Sequence, residues 1–168
     1  MNSVLVTLLG ILFLTNANSN MNNGGGDLQW TNYTDGIRRA SETNKKILVD
    51  VYTDWCGWCK KMESDTYSDE DIKNYLTENY VLVRLNAESE IKETVGNEEM
   101  TQAEIAKAYK VKGYPTTVFL AASGEPITFV AGYMKPADFL PVLRYVAEDY
   151  FKKMSYNDFL RQQNAPAR

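Results

Sequence analysis

The chain's 168 residues suit one domain with short extensions, and its 44% apolar content supplies a core that a disordered chain lacks. A formal net charge of -4, with no basic run longer than a pair, argues against a nucleic-acid or anionic-membrane surface, both of which need basic patches. Two cysteines and no histidine exclude Cys–His and Ser–His nucleophilic sites and leave a structural zinc site short of ligands, so no metal is expected.

In chain order, Val4 to Leu14 is apolar apart from Thr7 and Gly10. The run is shorter than the roughly 20 residues a spanning helix needs. Ala17-Asn18-Ser19 offers small residues for cleavage, so residues 1–19 read as a signal peptide cut near Ser19-Asn20. The n-region carries no charged side chain, which leaves a retained N-terminal anchor as the alternative. The terminal Ala165-Pro166-Ala167-Arg168 is not an ER-retention signal, so the expected location is periplasmic or otherwise extracytoplasmic. Residues 20–29 read as a flexible Asn/Gly linker, 30–152 as the folded domain, and 153–168 as a C-terminal helical extension and tail.

Tyr33, Ile37 and Ala40 share one helical face. Ile47 to Tyr52 is a short apolar run, suited to a strand buried on both faces. After a turn at Thr53-Asp54, Cys59, Met62 and Glu63 continue a helix. Ser68 with Asp71 predicts a capped helix through Glu78, and Val81 to Leu85 a second buried strand. Glu88 to Met100 reads as polar and irregular. Thr101 with Glu104 forms a capping box for a helix to about Tyr109. Thr116 to Ala121 and Ile127 to Ala131 predict a hairpin across the Ser123–Pro126 turn. Lys135-Pro136 opens a last large helix, with Phe139, Leu143, Val146 and Tyr150 on one face and a kink at Pro141; Ser155 to Arg161 predicts a short further helix. A parallel β-α-β followed by a hairpin gives an α/β fold, a mixed central sheet with helices on both faces.

Trp55-Cys56-Gly57-Trp58-Cys59-Lys60 carries the strongest chemical signal. At a helix N-terminus, residues three apart are neighbours, within the roughly 4.4–6.8 Å Cα separation of a disulfide. Orphan backbone N–H groups and the helix dipole favour a Cys56 thiolate, with Cys59 one turn inside and more buried. A static staple is the alternative, but closing so small a loop removes little unfolded-state entropy. Asp50 stands in mid-strand among apolar neighbours, where a desolvated carboxylate points to function; a hydrogen-bonded structural aspartate is the alternative. Tyr114-Pro115 leads straight into a strand, where a first-residue proline is ordinary.

The segment Asp50-Val51-Tyr52-Thr53-Asp54-Trp55-Cys56-Gly57-Trp58-Cys59-Lys60 resembles the active-site segment of thioredoxins. Lys112-Gly113-Tyr114-Pro115-Thr116 is similar to that family's cis-proline loop, Val83-Arg84-Leu85-Asn86 to the strand bearing a basic partner for the buried aspartate, and Ala131-Gly132-Tyr133 to its glycine turn. The resemblance spans roughly residues 32–150 and implies a thioredoxin fold and thiol–disulfide exchange without a bound cofactor. It implies Cys56 as nucleophile, Cys59 as resolving thiol and Asp50 as proton acceptor for Cys59. Trp55, Tyr114, cis-Pro115 and Gly132 would contact substrate, with Arg84 and Trp58 in support. The implied partners are disulfide-containing proteins and a membrane or soluble thiol electron donor, with no nucleic acid and a monomeric state. Gly57-Trp58 replaces the usual Gly-Pro, no histidine stands between the cysteines, and Arg84 replaces lysine. Lys60-Lys61-Met62-Glu63 followed by Thr66 resembles the exported thioredoxin-like branch, including periplasmic domains of membrane disulfide reductases. A mild oxidase or isomerase and a redox-inert peptide-binding module are the competing readings.

Overall fold

The computed structural model describes residues 27–163; the signal-peptide reading, most of the linker and the end of the C-terminal tail fall outside them. The elements are β1 (Trp30–Thr31), α1 (Tyr33–Thr43), β2 (Lys46–Tyr52), α2 (Gly57–Asp65), α3 (Glu70–Asn79), β3 (Tyr80–Asn86), β4 (Lys92–Val95), β5 (Glu98–Thr101), α4 (Gln102–Ala108), β6 (Thr116–Leu120), β7 (Pro126–Ala131), α5 (Pro136–Ala147) and α6 (Tyr156–Gln163). The main sheet runs β1-β3-β2-β6-β7. Strands β1, β3 and β2 are parallel, while β6 and β7 return antiparallel, giving the mixed sheet expected from the chain order.

Alternation along β2 decides what each face buries. Ile47, Val49 and Val51 join Tyr33, Ala40 and Ile105 in one core layer. Leu48 joins Met62, Tyr67, Leu76, Phe119, Phe139 and Leu143 in the other. Asp50, two residues on from Leu48, therefore points into the second layer, beneath α2. Helix α1 lies close on the first face: an added Cβ at Gly36 would sit 2.2 Å from Val83 Cγ2. Val83 is fully buried and β-branched, so it has nowhere to turn. Gly36→Ala is expected to destabilise the fold by about 1–3 kcal/mol, read as a lower urea midpoint at unchanged slope.

Several local expectations are corrected. The stretch 88–100 is not irregular: β4 and β5 form a second, two-stranded sheet, turning at Gly96 with φ 63°. Its inward residue is a carboxylate. Glu93 is buried, accepting from the Thr34 amide and hydroxyl and from Gln102 Nε2, which ties the hairpin to α1 and α4. The cap of α3 is Asp69, whose Oδ1 accepts from the amides of Asp71 and Ile72 at 3.1 Å each; the Ser68 hydroxyl is committed to Ser64 O. Helix α5 ends at Ala147, because Asp149 adopts φ 60°, so Tyr150 lies in a 3₁₀ turn instead of on the helix. Its ring still packs on the fully buried Phe159 of α6, 4.7 Å between centroids. The Thr101–Glu104 capping box forms as expected.

Candidate active site

The C-terminal end of β2 delivers the chain to a turn at Asp54-Trp55, one residue later than expected, and Cys56 caps the N-terminus of α2. Its Sγ accepts the Cys59 amide at 3.0 Å, so a sulfur occupies the place where a helix favours negative charge. Cys56 and Cys59 form a disulfide with a Cα separation of 5.3 Å. The expected order of exposure is reversed in this disulfide form: Cys56 is 4% exposed, whereas Cys59 is half-buried. Capping turns the Cys56 sulfur back onto the first helical turn, and Cys59 instead lines a small cleft of about 110 Å³ with Asp50, Thr53, Glu63 and Arg84.

Asp50 is 4% exposed. Strand register sets it beside Arg84, whose Nε lies 3.7 Å from Asp50 Oδ2. The Tyr67 hydroxyl donates to Asp50 Oδ1 at 3.3 Å. Burial pushes the Asp50 carboxyl up to about 6; Arg84 and the Tyr67 bond oppose the rise, and nearby Glu63 adds to it. Arg84 is itself divided. Its Nη2 pairs with Glu63 Oε1 at 2.9 Å, and its guanidinium lies over the rings of Trp30 and Tyr52, at 4.9 and 5.7 Å from their centroids.

Around the disulfide, Trp55 and Trp58 are 66% and 59% exposed. The Trp55 indole donates to the Glu88 carboxylate and meets the Tyr114 ring edge-on at 5.9 Å. The Trp58 ring packs on Tyr133 at 5.6 Å. The Tyr114-Pro115 peptide is cis. Gly132, at φ 91°, donates its amide to Pro115 O at 2.8 Å, and the space a side chain would fill there is open. Thus Asp50, Cys59 and Arg84 share one cleft, while Trp55, next in sequence to Cys56, packs against Tyr114.

The sequence reading passed over Tyr67, Glu63, Glu88 and Thr53. Glu63 carried a usable signal, since it lies four residues after Cys59 on the same helix face. Tyr67 and Glu88 reach the site only through the tertiary fold. Among the described residues no group of three or more His, Cys, Asp or Glu side chains is placed to hold a metal.

The family model for the thioredoxin-like domain matches residues 33–147. The thiol:disulfide interchange protein DsbD of Yersinia pestis is 34% identical over 107 residues, which is 62% of this chain and 16% of that protein. This chain thus covers under a fifth of that relative's length. Among solved structures, a thioredoxin-fold protein from Helicobacter pylori superposes with a TM-score of 0.61 at 22% identity, covering 72% of this chain and 80% of that one. A thioredoxin from Thermus thermophilus gives 0.59 at 25% identity, covering 72% and 88%. With a Cys-x-x-Cys disulfide at a helix N-terminus and a family match over most of its described length, the chain belongs to the thioredoxin-like family and carries that family's thiol–disulfide redox centre.

Proposed function

We propose that the protein works outside the cytoplasm as a disulfide reductase or interchange protein, with Cys56 attacking and Cys59 resolving. The observation that carries the assignment of roles is the N-cap. The Cys56 sulfur receives an amide hydrogen bond at the helix tip, so its thiolate is the one the fold stabilises and the one that leaves most readily. Cys59 faces the cleft that holds Asp50, the carboxylate whose raised pKa suits it to accept and return the Cys59 proton near neutral pH. The reducing direction is supported by the absence of a histidine between the cysteines, which leaves the reduced pair less stabilised than in a strong oxidant. A periplasmic setting is supported by the likeness to interchange proteins and by the apolar N-terminal run.

Substrate would lie along the packed pair of Trp55 and Tyr114, its backbone adding to the loop at Pro115 as an extra strand. The partners are then disulfide-bearing proteins on one side and a membrane or soluble thiol donor on the other. Reduction of insulin with dithiothreitol as donor is the test. Faster precipitation of the insulin B chain with catalytic amounts of protein is expected; an uncatalysed rate would identify a redox-inert peptide-binding module instead.

A further inference from the structure

We propose that Thr53 is a positioning residue for the exchange reaction: its hydroxyl and Arg84 Nε anchor water in the cleft that joins Asp50 to Cys59. The inference rests on the roles assigned above to Cys59 and Asp50. Thr53 is 1% exposed, yet its Oγ1 finds no hydrogen-bond partner among the described residues, and neither does the buried Arg84 Nε. Both residues line the same cleft as Asp50 and Cys59. Leaving two buried polar groups unpaired is costly, and a cleft of about 110 Å³ is roomy enough to admit water. The 3.7 Å between Arg84 Nε and Asp50 Oδ2 is too long for a direct hydrogen bond, so the Nε–H keeps its capacity to donate to water. Nothing in the local backbone demands threonine here. Its carbonyl accepts the Cys56 amide at 3.2 Å, a contact any residue could make.

The chemistry balances without a further reactant. With the substrate joined to Cys56, the Cys59 thiol gives its proton through the water to the Asp50 carboxylate. The Cys59 thiolate attacks Cys56 Sγ, the Cys56–Cys59 bond forms and the Cys56–substrate bond breaks. The substrate sulfur leaves as a thiolate and takes a proton from solvent. The charged and titratable groups facing this path are Asp50 and Tyr52 from β2, Asp54 from the turn, Lys60 and Glu63 from α2, and Arg84 from β3; Tyr67 meets Asp50 from the core side.

The test is stopped-flow reaction of the reduced protein with Ellman's reagent, which releases one chromophore when Cys56 attacks and a second when Cys59 resolves. Thr53→Val keeps the shape and removes the hydroxyl. It is expected to slow the second phase about tenfold, the rate equivalent of one lost hydrogen bond, while the first stays within about twofold. The second phase should also move to higher pH, toward the ordinary thiol value of about 8.5, as Cys59 loses its path to Asp50. Thr53→Ser should restore both rate and profile, which a packing role would not. If Thr53→Val fails to fold, Thr53→Ala is read the same way. A wild-type second phase and pH profile in the hydroxyl-less variant overturns the proposal. Absence of a first phase in the wild-type protein, by contrast, defeats the assignment of Cys56 as nucleophile.

Discussion

Cys56→Ser is expected to lower disulfide-exchange activity by at least about a thousandfold, and Cys59→Ser to convert the protein into a trap. Both outcomes follow from the division of labour in the pair. Without Cys56 no sulfur stands at the tip of α2, and serine at that position still caps the helix but cannot form a mixed disulfide. Without Cys59 the first attack proceeds and the Cys56–substrate bond has no internal thiol to break it. Non-reducing electrophoresis and mass spectrometry should then show adducts joined through Cys56 in the Cys59→Ser protein and none in the Cys56→Ser protein. The low exposure of Cys56 in the disulfide form does not alter this expectation. The attacking group is the thiolate of the reduced protein, and it is held by the amide at the helix tip. Adducts through Cys59 in the Cys56→Ser protein would reverse the assignment.

Asp50→Asn is expected to raise stability at pH 7 and lower turnover. Burial lifts the folded-state pKa of Asp50 from 3.8 to about 6. The native protein therefore binds this proton more tightly than the unfolded chain does. The stabilising contribution of Asp50 is full below the unfolded value and is lost as pH rises through about 6. At neutral pH the fold carries a buried carboxylate whose charging works against it by about 3 kcal/mol, at 1.36 kcal/mol per pKa unit. Asparagine is neutral at every pH and removes that load. The melting temperature should rise by several degrees at pH 7, where 1 kcal/mol shifts a chain of this size by about 2–4 °C, and change little in acid below the unfolded pKa. Because the carboxylate is also the proton acceptor for Cys59, the resolving step should slow by about a hundredfold in the same variant. Opposite movement of stability and rate is the signature of a residue kept for chemistry. A variant that melts lower at pH 7 and exchanges at the wild-type rate would make Asp50 a structural hydrogen-bonding residue.

What the linear sequence disclosed, and what it hid, has a physical pattern. Strand β2 was legible because both its faces are buried, so its apolar run is continuous and Asp50 breaks it conspicuously. The disulfide was legible because its partners are three residues apart on one helical turn. The Thr101–Glu104 cap was legible because capping is local. The hairpin of β4 and β5 was not. Its buried position is Glu93, a residue that ordinarily marks solvent, and it is tolerated only because Thr34, 59 residues earlier, and Gln102 supply the hydrogen bonds. Strand β1 is two residues long and gives no periodicity. Tyr67 meets Asp50, and Glu88 holds Trp55, across 17 and 33 residues of chain, so neither contact leaves a spacing to read. The inward turn of Cys56 depends on where its sulfur is aimed within the cap, which sequence position alone does not fix.

The reduction potential of the Cys56–Cys59 couple tests most directly whether this centre works as a reductant. Equilibration against glutathione or thioredoxin buffers, with the thiol state read by alkylation and mass, should place it at about -270 to -200 mV, between thioredoxin-like and glutaredoxin-like values. A potential near about -120 mV, that of the strong periplasmic oxidants, would make the protein a disulfide donor and contradict the account.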